Sequence, residues 1–177
     1  MALTIDATVG GAAANSYATE AEVIAYMATR LNASAWTTLS GSSCTETEKA
    51  AMIEAQRELS VLQWAGTQAS STQALQWPRY WVSNPDDPWK YYYLSTVVPT
   101  RVKDAQAELA FQFLKAGTTD VAAVPSTQGI IQKTIDVLTT IYSEFNQPTG
   151  LARFPRVLNL VRPLLQGSGN TATVLRG

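Results

Sequence analysis

The feature that most constrains the fold is a stretch of the chain, residues 66–98, that cannot continue a helix. It contains Pro78, Pro85 and Pro88, and each proline removes a backbone N–H that an interior helical turn needs. Seven aromatic side chains lie within residues 77–93. Because a structureless loop of this length is uncommon in a compact domain, we expect the insertion to be partly folded or functional.

Helices are predicted before this insertion. Two Thr residues are each followed three positions later by Glu, the spacing of a capping box, in which the two side chains satisfy free N–H groups of a first helical turn. The pairs are Thr19 with Glu22 and Thr45 with Glu48. Apolar residues then recur at helical spacing. They predict one helix over about residues 20–32 and a second that runs from its cap to about Trp64, before Gly66.

Two further helices are predicted after the insertion. Pro99 suits the first turn of a helix, where its missing N–H would be unpaired anyway, and Gly117 ends that helix. Pro155 begins another helix, which Pro163 weakens or bends. Between them, residues 130–145 combine helical spacing with many β-branched side chains, so periodicity alone does not choose between helix and hairpin.

The length of 177 residues fits one domain. We place this domain at residues 1–166, and its opening residues 3–5 alternate like a short strand. Residues 167–177 follow as a docking tail, in which two spaced glycines precede a strand-capable segment. A tail of this kind often becomes ordered only on a partner.

The residue types that the chain lacks exclude most enzyme mechanisms. There is no His, so no imidazole can serve as a base for a nucleophile or hold zinc or haem. The single Cys44 cannot form an intrachain disulfide and is interpreted as an ordinary thiol. Asp86 and Asp87 lie between two prolines with no third acid nearby, which favours a solvated turn over a metal site. We predict that the protein is not an enzyme and uses no cofactor or metal.

The charge is nearly balanced but unevenly spread. The formal net charge is −1, with −4 in residues 1–60 and +3 in residues 121–177. Such asymmetry suits head-to-tail contacts between copies or a basic end aimed at nucleic acid, and composition drift without consequence is the alternative. No apolar run approaches a membrane span and the N-terminus lacks signal-peptide features, so we expect a soluble protein made in the cytoplasm, without a membrane partner.

The aromatic insertion is the one segment whose side chains are suited to a chemical function. Its rings, with Arg79 and Lys90, resemble a platform on which single-stranded nucleic acid stacks. However, cationic side chains that neutralise phosphates supply most of the affinity of such binders. The insertion has only Arg79 and Lys90 as cations, and the acidic Asp86 and Asp87 lie in the same segment. We therefore favour packing in the core or at a subunit interface over base stacking. The candidates are Trp77, Arg79, Tyr80, Trp81, Trp89 and Tyr92.

A set of short segments spans most of the chain in order. They are Val9-Gly10, Asn15-Ser16-Tyr17, Leu62-Gln63-Trp64-Ala65-Gly66, Ala74-Leu75-Gln76-Trp77-Pro78-Arg79, Val98-Pro99-Thr100-Arg101-Val102-Lys103-Asp104-Ala105, Phe154-Pro155, Leu164-Leu165 and Leu175-Arg176-Gly177. Together they resemble the small head-tail connector, or adaptor, proteins of tailed bacteriophages, some of which carry a DnaT-like single-strand-binding label. The Tyr-rich portion after Pro85 departs from the family pattern.

The resemblance implies a mainly α fold: a small bundle of about four helices with a β-hairpin and an extended C-terminal tail. It assigns the undecided segment to two strands, at about residues 129–136 and 138–145. It also implies a structural virion protein of the neck that forms a homo-oligomeric ring of about twelve copies. The implied partners are the portal protein, a downstream tail or neck protein, and genomic double-stranded DNA passing through the lumen.

On this interpretation the tail docks onto the portal by adding a strand or by inserting apolar side chains into a groove. The docking residues are Thr173, Val174, Leu175, Arg176 and Gly177. The alternative function is binding of single-stranded DNA, of the DnaT-like type, through the aromatic insertion. That alternative predicts micromolar or tighter oligonucleotide affinity that falls steeply with salt.

Overall fold

The computed structural model describes residues 2–87, 89–117, 132–135, 138–141 and 150–167. Within these residues it contains four α-helices and two antiparallel pairs of strands. In chain order they are α1 (Glu20–Thr29), α2 (Glu46–Ser60), β1 (Thr67–Gln68), β2 (Arg79–Tyr80), α3 (Thr100–Ala116), β3 (Gln132–Ile135), β4 (Leu138–Ile141) and α4 (Pro155–Val161). The predicted fold class, mainly α with a hairpin, is confirmed. No helix among the described residues is long and apolar enough to cross a bilayer.

Both predicted capping boxes are present, so α1 and α2 begin where the sequence indicates. Their predicted ends are wrong, because each helix stops earlier. Arg30 leaves the helical path to pair with Glu108 of α3, and Leu31 is exposed. At the end of α2, the indole N–H of Trp64 donates to the carbonyl oxygen of Leu59 at 3.1 Å, which satisfies a terminal carbonyl without a further helical turn.

The remaining helices and the hairpin follow the sequence more closely. Helix α3 ends at Gly117, whose φ of +68° lies in the left-handed region. Helix α4 has Pro155 in its first turn and gives way to a 3₁₀ turn, Arg162–Leu164, that contains Pro163. Strands β3 and β4 lie within the predicted ranges. The predicted strand at residues 3–5 is wrong, because this segment has no strand partner.

Helix α3 is the centre of the fold, because α1, α2 and α4 all pack against it. Its predicted apolar face is buried: Val102, Ala105, Leu109 and Phe113. The same helix also buries Gln106, whose side-chain amide makes four hydrogen bonds. Its Oε1 accepts from the backbone N–H groups of Tyr17 and Ala18, and its Nε2 donates to the Ser16 hydroxyl and the Met52 carbonyl. This one amide therefore joins α3 to α2 and to the segment before α1.

A second buried polar residue of α3, Glu108, holds the ends of two other helices. Two nitrogens of the Arg30 guanidinium donate to its two carboxylate oxygens at 2.7 Å each. The Tyr26 hydroxyl donates to it at 3.1 Å, and Arg156 of α4 lies 3.6 Å away. Burial raises the pKa of Glu108, but the hydrogen bonds from Arg30 and Gln112, together with the charges of Arg30 and Arg156, outweigh it and keep the pKa below its ordinary value.

The carboxylate of Glu48 organises the segment between α1 and α2. It accepts hydrogen bonds from the backbone N–H and the hydroxyl of both Thr37 and Thr38, and from the N–H of Thr45. Only 2% of the residue is exposed. Burial raises the pKa of Glu48, but the hydrogen bonds, led by the Thr38 hydroxyl, outweigh it and lower the pKa to about 2.

The free energy of unfolding should therefore fall in acid through Glu48. Its folded pKa of about 2 lies below the unfolded value of about 4.3. The contribution is full above the unfolded pKa and is lost as the pH falls toward the folded pKa, by about 3 kcal/mol in total. Urea unfolding between pH 7 and pH 2 measures it. The variant Glu48→Gln should be less stable at pH 7 and should lose less stability on acidification, and an unchanged pH profile contradicts this role.

Candidate nucleic-acid interface

The aromatic insertion begins with a buried half. Trp77 is only 1% exposed and packs edge to face between Trp64 and Tyr93, with ring centroids 5.7 and 6.2 Å away. Arg79 is also buried, and its guanidinium donates to the carbonyl oxygens of Ala65 at 2.7 Å and of Gly66 at 2.8 Å. These two sequence candidates thus belong to the core of the protein.

We expect Trp77→Ala to lower the free energy of unfolding by about 3 to 5 kcal/mol, because it removes a large buried ring and leaves a cavity. The matched control is Trp89→Ala, since Trp89 is 94% exposed and its loss should change stability by less than about 0.5 kcal/mol. Chemical denaturation measures both variants. Equal effects of the two substitutions would contradict the division of the insertion into buried and exposed parts.

The buried half fixes the point from which the exposed half projects. Strand β2 pairs with β1, and Gly66 lies immediately before β1 with a φ of +69°. A Cβ atom at Gly66 would lie 2.0 Å from the carbonyl oxygen of Tyr80, so no larger residue fits without moving the backbone. The close approach of these two backbone segments holds the end of β2 in place.

The chain after β2 forms a second hairpin. The N–H of Tyr93 donates to the carbonyl of Val82, and the N–H of Asn84 donates to that of Tyr91, both at 3.0 Å. Ser83 and Tyr92 form the bridge between these bonds. Val82 is fully buried, whereas its neighbours Trp81 and Ser83 face solvent. This hairpin therefore carries aromatic side chains away from the core.

Three exposed rings lie together on this hairpin, where Tyr92 contacts both Trp81 and Tyr91, and we call Trp81, Tyr91 and Tyr92 the aromatic surface. Trp81 is 69% exposed and Tyr91 is 73% exposed. The Tyr92 ring centroid lies 5.6 Å from that of Trp81 and 4.6 Å from that of Tyr91, in edge-to-face arrangements. Large exposed apolar patches are a feature of interaction sites rather than of ordinary surface.

A groove of about 370 Å³ adjoins the aromatic surface, and we call it the terminal groove because the last described residues line it. Besides the three rings, its lining residues are Ala65, Gly66, Ser83, Pro163, Leu165, Gln166 and Gly167. The groove thus lies between the aromatic hairpin and the chain that follows α4.

The backbone of Trp81 is strained. Its φ is +62°, in the left-handed region, which costs an L-residue with a Cβ about 1 to 2 kcal/mol. Such a conformation is a clear exception for a bulky side chain. Strained residues of this kind are concentrated at functional sites, where the surrounding structure holds them. Trp81 is therefore the member of the aromatic surface with the strongest structural sign of a function.

Carboxylates accompany the cations near the aromatic surface. Lys90 lies 3.8 Å from Asp87, and Arg101 donates to both oxygens of Asp86 at 2.7 and 2.8 Å. The Tyr93 hydroxyl also donates to Asp86 at 2.6 Å. The hydrogen bond from Arg101 lowers the pKa of Asp86, so the pair is ionised at neutral pH. The described residues hold no group of three or more His, Cys, Asp or Glu suited to a metal ion.

The structure separates the six sequence candidates. Trp77 and Arg79 lie in the core, Trp81 and Tyr92 lie in the aromatic surface, and Tyr80 and Trp89 are exposed outside its ring contacts. Sequence reasoning did not select Tyr91 as a site residue. The available signal was its place beside two other tyrosines in the sequence. The predicted docking residues of the tail, 173–177, lie outside the described residues.

Comparison with known proteins adds a family to this geometry. The profile of one family matches residues 1–177, and its description reads "Putative DnaT-like ssDNA binding protein". The chain belongs to this DnaT-like family. No curated protein and no solved structure matches the chain. The DnaT-like label within the sequence resemblance is thereby confirmed, and the assignment to phage connectors stays a prediction.

The strain at Trp81 in this DnaT-like chain can be measured with two substitutions. Trp81→Gly and Trp81→Ala both remove the ring and its contact with Tyr92, but only Ala keeps a Cβ at a positive φ. We expect the Gly variant to be more stable than the Ala variant by about 1 kcal/mol, as measured by chemical denaturation. If Ala were the more stable of the two, the left-handed conformation of Trp81 would be wrong.

Proposed function

We propose that this DnaT-like protein binds single-stranded DNA by stacking unpaired bases on the aromatic surface. The observation that supports this most is that Trp81 is exposed and also has a strained backbone. A residue kept in this state needs a benefit that folding alone does not provide. The description of the family, which names single-stranded DNA, supports the same function.

Stacking supplies a large part of the free energy that this function needs. Base–aromatic stacking is worth about 1 to 3 kcal/mol per base, so three rings provide about 3 to 9 kcal/mol. A micromolar dissociation constant corresponds to about 8 kcal/mol. The flat faces of Trp81 and Tyr91 accept any base, because every base has a π face, and the proposed binding is therefore tolerant of sequence.

Electrostatics contributes less here than in most nucleic-acid binders. The nearby cations Lys90 and Arg101 already lie beside Asp87 and Asp86. Arg162 is exposed directly before Pro163 of the terminal groove. One or two phosphate contacts are thus the expected number. For single strands, the slope of log K against log salt is about −0.7 for each contact, which gives about −0.7 to −1.4. The proposed dependence is shallower than the steep salt dependence expected from the sequence.

Fluorescence anisotropy with a labelled oligothymidylate tests the proposal. We expect Trp81→Ala and Tyr91→Ala each to weaken binding at least about fivefold, the loss of one stacked base. The control is Leu31→Ala, which removes an exposed apolar side chain outside the aromatic surface and should leave affinity unchanged. Double-stranded DNA of matched length should bind more weakly, because its base faces are already stacked.

Two results would contradict this function. One is the absence of oligonucleotide binding at micromolar protein. The other is binding that Trp81→Ala and Tyr91→Ala do not weaken, combined with a slope much steeper than about −1.4, which would assign the affinity to phosphate contacts instead. Circular dichroism and denaturation of each variant establish that a loss of binding is not a loss of folding.

A second candidate function is the connector of tailed phages, a ring in the virion neck that joins the portal to the tail around the passing genome. The observation that favours it is the exposure of Trp81, Tyr91 and Trp89 together with few unpaired charges nearby, since aromatic residues are enriched in subunit interfaces. The opposite charges of residues 1–60 and 121–177 suit head-to-tail contacts in a closed ring.

Native mass measurement of the protein alone, and mixed with candidate portal and tail proteins, separates the two functions. A ring or a portal complex that Trp81→Ala disrupts supports the connector. A monomer that forms no complex with these proteins and binds an oligonucleotide supports the single-strand-binding function. In the connector, deletion of residues 167–177 should leave the fold intact and abolish portal attachment.

A further inference from the structure

The outer side of α4 and of the turn that follows it is basic. Residues 150–167 contain three arginines and no Asp or Glu. Helix α4 packs against α3, and Val157 is fully buried between them and their neighbours. Arg156, Asn159 and Arg162 are exposed and lie three positions apart, so they are neighbours along one side of the helix. We call these three residues the basic face.

The charge of Arg156 is available to a ligand although a carboxylate lies near it. Arg156 is 3.6 Å from Glu108, and its side chain is 60% exposed. Glu108 is buried, and both of its oxygens already accept hydrogen bonds from Arg30 at 2.7 Å. Two arginines and one carboxylate leave a net charge of +1. Arg156 is the member of this cluster that carries the charge to solvent.

Arg162 brings the basic face to the terminal groove. It is exposed and forms no ion pair within the part of the chain that the structure describes. The next residue, Pro163, lines the groove together with all three rings of the aromatic surface. The N–H of Gln166 donates to the carbonyl of Gln63 at 2.8 Å, which fixes this segment beside the aromatic hairpin. The basic face therefore ends at the groove that the aromatic surface adjoins.

We propose that the sugar–phosphate backbone of a bound single strand runs along the basic face, while its bases reach across the terminal groove to the aromatic surface. Arg156 and Arg162 each contact one phosphate, and the amide of Asn159 donates to the strand between them. Cations beside stacking rings are the general arrangement of single-strand-binding grooves. The inference rests on the proposed function and deepens it, because it names the phosphate contacts and the path of the strand.

The salt dependence of oligothymidylate binding counts these contacts. Each phosphate contact contributes about −0.7 to the slope of log K against log salt, so a tenfold rise in salt should weaken binding by the unmodified protein about 25-fold. We expect Arg156→Gln and Arg162→Gln each to reduce this loss to about fivefold, and the double variant to remove most of it. Arg162→Lys keeps the charge and should keep the slope.

The matched control is Arg57→Gln. Arg57 lies on α2, pairs with Glu54 and is about as exposed as Arg156. Its substitution removes the same charge from the protein but should leave the slope unchanged. Because Arg162 forms no ion pair with the described residues, its variants test the path even if Arg156→Gln proves unstable.

The outcomes separate the path of the strand from the stacking. Trp81→Ala should weaken binding and leave the slope unchanged, because it removes a ring and no cation. A slope that neither arginine variant of α4 reduces overturns the path, and so does an equal reduction by Arg57→Gln. If Trp81→Ala leaves the affinity unchanged while Arg162→Gln reduces the slope, the stacking fails and the basic face is supported. No binding by the unmodified protein overturns both.

Discussion

The buried amide of Gln106 is the interaction on which the rest of the structure depends. It lies in the middle of the central helix, and its hydrogen bonds reach the segment before α1 and the backbone of α2. A buried amide left without partners is costly, so these four bonds allow only one relative placement of the segments. Glu108, two positions later, joins Arg30 and Arg156 from the other helices. The apolar side chains around α3 fill the space between these polar contacts.

The parts of the fold that local chemistry determines were predictable from the sequence. Capping boxes, Pro near a helix start and Gly at a helix end act over a few residues, and they located the starts of α1 and α2 and both ends of α3, although Pro99 is the N-cap of α3 and does not lie in its first turn. The early ends of α1 and α2 were not predictable, because Arg30 and Trp64 leave the helical pattern for partners that are distant in sequence or specific to the folded turn. The prediction of the β3–β4 hairpin required the family resemblance, because the sequence periodicity of this segment fitted both a helix and a hairpin.

The candidate site was only half predictable. The density of aromatic residues identified the insertion, but composition does not distinguish a buried Trp77 from an exposed Trp81 four residues later. That difference arises from the backbone: β2 ends, Trp81 takes a positive φ, and Val82 turns into the core. The near-neutral charge of the site was visible in the sequence. In the structure, Asp86 and Asp87 form ion pairs with the nearby cations Arg101 and Lys90.

The hydrogen bonds of Arg79 to the main chain limit which substitutions this position can accept in evolution. Its flat, forked head reaches separate main-chain oxygens at Ala65, Gly66 and Gln76, and a lysine, with one terminal nitrogen, cannot serve them together. A chain that exchanged this arginine, even for the residue most similar in charge, would lose the support beneath the whole projecting segment. Homologous chains should therefore retain arginine at this position, because its loss would disturb the segment from which the outer rings project.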